Sequence, residues 1–292
     1  MGKRPGAKYV AVQRLNALMA DGTKRADAKA DARQRGESLF GFTDQRIHSY
    51  ESRNNYQKVV MRFLDWCRQE YDLHDAEKID AMADELASVY FRERIVAGYS
   101  AWTLQTERSA LRMYFQNRNL AASIDFPRRK RENIVRSRGT AVRDAHFQPA
   151  NWQPLIKFCL ACGLRREELR DLRVRDIGLR ASDQRLVVRV VKGKGGKWRE
   201  VPVFPGREQD VQVVIEGRDR EAHVFERLPS NMDIHSYRRQ FAQELYEYLS
   251  GRPLPPQHGR LLADDFDADA ALQVSRCLGH NRIDIIFGHY IR

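Results

Sequence analysis

The 292-residue sequence is short of cysteine, of acid and of long apolar runs, and each shortage closes off a class of protein. Its four cysteines, at 67, 159, 162 and 277, are too few and too scattered for the disulfide framework of a small secreted fold. Cys159 and Cys162 form a lone CxxC. No second CxxC or Cys/His pair completes a zinc site, so no metal ligand is assigned. Within the run LIKFCLACG the two thiols read as core. No apolar stretch reaches the ~20 residues needed to cross a bilayer. The opening MGKRPGAKYV lacks the apolar segment of a signal peptide. No GxxxxGK[ST] phosphate loop is present, although KGKGGK is rich in lysine and glycine. These absences point to a reduced, cytoplasmic protein with no membrane partner and no metal or nucleotide cofactor.

The shortage of acid is the most informative. Lys and Arg number 51 against 39 Asp and Glu, a formal charge of +12. An excess of that size favours a polyanionic partner, and most often nucleic acid. The charge is uneven. Residues 1–36 hold nine basic and three acidic side chains with few large apolar groups. They read as a solvated, partly helical extension, either a nucleic-acid-binding arm or a solubilising tail. Between Pro127 and Arg143, in PRRKRENIVRSRGTAVR, seven basic residues face one acid. That composition, punctuated by Pro127 and Gly139, predicts a linker. As a strap along a phosphate backbone it would act through Arg128, Arg129, Lys130, Arg131, Arg136 and Arg138, each contact releasing counterions.

Hydrophobic residues make up 42% of the chain, enough for real cores, and the length accommodates two domains. Residues 41–126 have the periodicity of a helical domain. Tyr56, Val59, Val60, Phe63, Leu64 and Cys67 mark one buried face, and Leu104, Leu111, Tyr114 and Phe115 another, with Ser100 or Thr103 as cap. Residues 144–292 read as mixed. RLVVRVV and WREVPVF are valine-rich strands joined by the KGKGGK turn, and helices flank them. The fold class is therefore mainly α with a small β-sheet, in four parts: an extension (1–40), a helical domain (41–126), a basic linker (127–143) and a mixed α/β domain (144–292).

Four separated stretches of the second domain carry polar groups suited to phosphate chemistry: GLRREEL, KGKGGK, HSYR and LGHNRIDIIFGHY. They present Arg165, Lys194, His235, Arg238, His280 and Tyr290. No single stretch is specific, but the set occurs in one order, with a Tyr ten residues after the last His. In this it resembles the tyrosine recombinase (phage integrase) family. The resemblance covers roughly 144–292, and the helical domain fits the family's core-binding domain in general shape. Cys162 stands where the family often has Thr, and Tyr237 where Leu is usual inside His-x-x-Arg. Many members carry a further helix after the tyrosine, whereas two residues follow Tyr290 in this sequence.

The resemblance implies roles that the chemistry explains. A phosphodiester repels nucleophiles, and two guanidiniums, Arg165 and Arg238, would neutralise it through bidentate hydrogen bonds. Tyr290 would be the nucleophile, forming a 3′-phosphotyrosyl bond and releasing a 5′-hydroxyl. Its phenol, with an ordinary pKa of ~10, needs cations and a base nearby. Lys194, within Gly-Lys-Gly, would protonate the leaving oxygen, with Lys192 and Lys197 as phosphate contacts. His235 and His280 would bind phosphate or assist proton transfer. Glu168 would orient Arg165 or its turn. The implied partner is double-stranded DNA with a specific recombination site, with a homotetramer in the synaptic complex and accessory DNA-bending proteins, in a nucleoid-associated cytoplasmic setting. Two other readings are a type IB topoisomerase-like DNA relaxation activity and a catalytically silent DNA-binding architectural factor.

Overall fold

In the computed structural model, residues 6–39, 41–130, 147–193, 198–257 and 259–291 are described. The chain divides into two compact units, 1–133 and 134–292, and the division falls inside the basic stretch after Pro127.

The first unit is helical. Its helices are α1 (Ala7–Ala17), α2 (Arg25–Gln34), α3 (Tyr50–Tyr71), α4 (Ala76–Ala81), α5 (Ala83–Val96) and α6 (Ala101–Tyr114). The long α3 begins where the Ser49 hydroxyl accepts the Ser52 amide at 3.1 Å and ends at Asp72 in the left-handed conformation. Its apolar residues at 59, 60, 63, 64 and 67 are all buried, as their spacing predicts. Of the two cap candidates for α6, Ser100 takes the role, accepting the Thr103 amide at 3.1 Å. The N-terminal stretch departs from the expected solvated extension. Ala7, Ala11 and Leu15 recur at helical spacing and lie buried in the core of this unit. Arg14 makes a bidentate pair with Asp80, at 2.8 and 2.7 Å. Small alanines carry little hydrophobic weight in a composition count, yet they let α1 pack closely on α3. A second polar feature lies deeper: Glu107, 1% exposed, accepts from Arg94 at 2.6 Å on each oxygen and from Arg62 at 2.5 Å.

The second unit contains α7 (Gln153–Cys162), α8 (Arg166–Asp171), strands β1 (Ile177–Leu179), β2 (Leu186–Val190) and β3 (Arg199–Pro202), then α9 (Glu208–Gln212), α10 (Ile234–Ser250), α11 (Ala268–Cys277) and α12 (Ile283–His289). The strands form an antiparallel sheet in the order β1-β2-β3, with Ile177 opposite Val188 and Val188 opposite Val201. The expected pair is therefore present, and β1 adds a three-residue edge too short to announce itself in sequence. Cys159 and Cys162 are fully buried, and burial pushes the Cys159 thiol up to about 12, as befits core residues. Among the described residues no group of three or more His, Cys, Asp or Glu converges on a metal-sized site, and no helix is long and apolar enough to cross a membrane.

Two local features bring the ends of α7 and α10 together. Gly163 ends α7 with φ +59°, and a Cβ there would lie 2.2 Å from Cδ1 of Phe241 on α10. Glycine is thus required both by conformation and by the approach of α10. On the buried face of α10, Ile234, Phe241, Ala242, Leu245 and Tyr246 are joined by one cation, Arg238.

Candidate active site

Arg165 occupies the residue before α8. Glu168, one turn on, folds back to accept the Arg165 amide at 2.9 Å through Oε2, the usual way a carboxylate satisfies a free N–H at a helix start. The other oxygen accepts Arg165 Nη1 at 2.7 Å. A cation beside a helix N-terminus is unfavourable alone, and the buried carboxylate offsets it. The backbone and head group of Arg165 are thereby both held by one side chain.

The head groups of Arg165 and Arg238 share an acceptor. Arg165 Nη2 donates to the Leu278 carbonyl at 3.0 Å, and Arg238 Nη2 donates to the same oxygen at 2.6 Å. Arg238 Nη1 donates to the Gly163 carbonyl at 2.5 Å. Leu278 follows α11, and the chain then turns through Gly279, φ +73°, to place His280. His280 Nε2 lies 3.3 Å from Arg165 Nη2 and 3.4 Å from the Tyr290 hydroxyl. Tyr290, at the C-terminal end of α12, is 3% exposed, and its hydroxyl accepts from Arg238 Nε at 3.3 Å. Gln243 Nε2 on α10 holds the Tyr290 carbonyl at 3.0 Å. His235, in the first turn of α10, is exposed on one side and brings its ring within 5.5 Å of the Tyr290 ring.

The electrostatics follow from this crowding of cations. Burial alone would raise the Glu168 pKa, but hydrogen bonds and charge from Arg199, then Arg165, hold it at about 2. Burial lowers Arg238 to about 10, where it remains protonated at neutral pH. Desolvation, then Arg165, Arg238 and Arg199, push His280 down to about 4. His235 is also lowered, by desolvation and by Arg239 and Arg238. His280 is thus a neutral imidazole. Because a guanidinium only donates, its contact with Arg165 makes Nε2 the lone-pair nitrogen. That nitrogen faces the phenol.

Five of the six residues singled out from sequence, Arg165, His235, Arg238, His280 and Tyr290, lie together, with Glu168 behind them. Lys194 and Lys197 lie outside the described residues, as do Arg131, Arg136 and Arg138. Arg128, Arg129 and Lys130 are exposed on an extended segment of the first unit, and Lys192 is exposed after β2. The sequence reading missed Arg199 on β3. Its Nη1 and Nη2 form a parallel pair with Glu168 at 2.9 and 2.8 Å, and its Nε donates to the Cys277 carbonyl at 2.9 Å. The available signal is an arginine inside the valine-rich strand WREVPV, and strand alternation alone does not say what such a side chain meets.

Residues 42–118 match the family model described as the phage integrase N-terminal SAM-like domain. The match lies within the helical unit, on a part of the chain that the polar motifs do not cover. No curated protein matches the chain by sequence. Among solved structures, the chain is similar to the Tn1549 transposon integrase (residues 82–397) in complex with circular intermediate DNA. Identity is 16% over 97% of this chain and 95% of that one, with a TM-score of 0.46. It is also similar to XerH site-specific recombinase bound to a palindromic difH substrate, at 15% identity over 97% and 91% of the two chains and a TM-score of 0.47.

Proposed function

We propose that this protein is a site-specific DNA recombinase that cuts and rejoins strands by transesterification through a 3′-phosphotyrosyl intermediate. The observation that supports the reading is the meeting of three distant stretches, GLRREEL, HSYR and LGHNRIDIIFGHY, around one phenol. The Tyr290 oxygen lies 3.3 Å from Arg238 and 3.4 Å from His280, and His280 is in turn 3.3 Å from Arg165.

The chemistry follows from the site. A scissile phosphate entering beside Tyr290 meets two guanidiniums whose charge offsets its own and the extra charge of a pentacoordinate transition state. As the phenolic oxygen attacks phosphorus, the phenolic proton leaves toward the imidazoles beside it, His280 and His235. The P–O(Tyr) bond forms and the P–O5′ bond breaks, and the departing oxygen takes a proton that the sequence assigns to Lys194. The reverse reaction, with a 5′-hydroxyl as nucleophile, rejoins the strand and restores the phenol. One phosphodiester is exchanged for another, so no external energy source enters the balance. The exposed Arg128, Arg129 and Lys130 fit contacts to the phosphate backbone of duplex DNA. Assembly of four protomers on two sites, with accessory DNA-bending proteins, belongs to the same proposal.

The test lets the protein select its own target. Duplexes of randomised sequence, each nicked so that cleavage releases a short fragment, are incubated with the protein, and covalent complexes are isolated under denaturing conditions and sequenced. Wild-type protein is expected to trap a defined sequence. Tyr290→Phe is expected to trap nothing while still shifting that duplex in a native gel. Trapping of unrelated sequences with plasmid relaxation would instead support a topoisomerase, and tight binding without any adduct an architectural factor.

A further inference from the structure

Arg199 lies outside the set of groups that face Tyr290, yet it touches everything that positions them. Both Glu168 oxygens are shared between it and Arg165: Oε1 accepts Arg199 Nη1 at 2.9 Å and Arg165 Nη1 at 2.7 Å, and Oε2 accepts Arg199 Nη2 at 2.8 Å and the Arg165 amide at 2.9 Å. On its other edge, Arg199 Nε fixes the Cys277 carbonyl at 2.9 Å. The next residue, Leu278, supplies the carbonyl that both Arg165 and Arg238 grip, and the one after it, Gly279, packs against Arg199. A Cβ on Gly279 would lie 3.2 Å from Arg199 Cδ and 3.3 Å from its Nε and Nη1. His280 follows directly. One side chain on β3 therefore ties the start of α8 to the end of α11. These are the two pieces of backbone whose separation sets the distance from Arg165 to His280. Arg199 is itself largely buried, its side chain 11% exposed, with all three of its nitrogens engaged.

We propose that Arg199 is a positioning residue for phosphoryl transfer, holding Glu168 and the Cys277–Gly279 segment in the one register that aims Arg165 and His280 at the same phosphate. The proposal rests on the recombinase reading. A planar fork suits the task because it presents three donors in fixed directions, two for a carboxylate and one for a carbonyl on its other edge. A lysine would keep the charge and lose the geometry.

The experiment uses full-length protein and the duplex trapped by wild type. Wild-type adduct formation tests the recombinase reading itself, so its absence overturns that reading separately. Single-turnover cleavage and duplex affinity are then measured for Arg199→Met and Arg199→Lys between pH 5 and 8. Both variants are expected to bind the duplex within about threefold of wild type. Misplacement of this order costs about 100-fold in rate, so Arg199→Met is expected to cleave about 100-fold slower and Arg199→Lys about 10-fold slower. Arg199→Met removes the charge that holds both Glu168 and His280 down, so both groups take up a proton at higher pH. This variant is therefore expected to lose further rate relative to wild type as pH falls from 7 to 5. A merely structural residue would lower the fraction of active protein, and so the burst amplitude, with the rate of the active fraction and its pH profile unchanged. That result, or wild-type rates in both variants, would overturn the proposal. Arg199→Lys keeps the test decisive should Arg199→Met fail to fold.

Discussion

Each unit of the molecule buries a glutamate among arginines, and the two clusters differ in what stands behind the cations. In the first unit, Glu107 takes three guanidinium contacts from Arg94 and Arg62, and the Arg94 head group is covered by the Tyr99 ring at 3.6 Å with Tyr90 at 5.2 Å. Every partner there belongs to the packing of α3, α5 and α6. In the second, Glu168 takes Arg199 and Arg165, but beyond them lie a third arginine, two imidazoles and a phenol. A buried ion pair holds backbone in register in both places. Only where the far side of the guanidinium meets groups that can exchange a proton does the same device become a place for chemistry.

The largest effects should come from breaking each cluster in turn. Removing one partner of a buried pair costs about 3–5 kcal/mol, so Glu107→Ala and Glu168→Ala should each destabilise their own unit by that amount in urea titrations. Glu107→Ala should leave single-turnover cleavage within about twofold under conditions where the protein is folded. Glu168→Ala should slow it about 100-fold through Arg165. Equal effects on cleavage would erase the contrast.

Acid offers a second test, because Glu168 is held well below its ordinary range. A carboxylate whose folded pKa is depressed contributes stability that is complete above its unfolded value. That stability is lost as pH falls through its folded value. For Glu168 the window runs from about 4.5 down to about 2. The loss should be on the order of 3 kcal/mol. Against Glu168→Gln, wild type should therefore lose its advantage across that window when unfolding is followed by near-ultraviolet circular dichroism. A difference between the two proteins that does not change between pH 5 and pH 2 would mean the carboxylate is not held by its arginines. Gly163→Ala should have a smaller effect, about 2 kcal/mol, from the left-handed backbone and the Phe241 clash. Because Gly163 also supplies a carbonyl to Arg238, the cleavage rate should fall with it.

The contrast also explains which residues were legible in the sequence. Arg165, His235, Arg238, His280 and Tyr290 stand out in the sequence because, although no one stretch is specific, the set falls in one order that resembles a family. Glu107 and Arg94 belong to no such set, and only packing reveals that they are inside. Arg199 failed for a related reason: strand alternation fixes which face a side chain takes, not what lies across from it. The apolar stripes of α3 and α6 are legible because large residues dominate them, although Tyr56 is half-buried and Phe115 lies just past the end of α6. The helix at Ala7–Ala17 was read as solvated because its buried edge is mostly alanine.

The oxygen of Leu278 that both arginines hold belongs to the main chain, and mutation does not remove a peptide carbonyl. The gap between the two cations is thus recorded in the course of the backbone rather than in the identity of a residue. Drift at position 278 should preserve it for any side chain that fills the same hollow, which leaves the spacing of the charges more durable than the sequence around it.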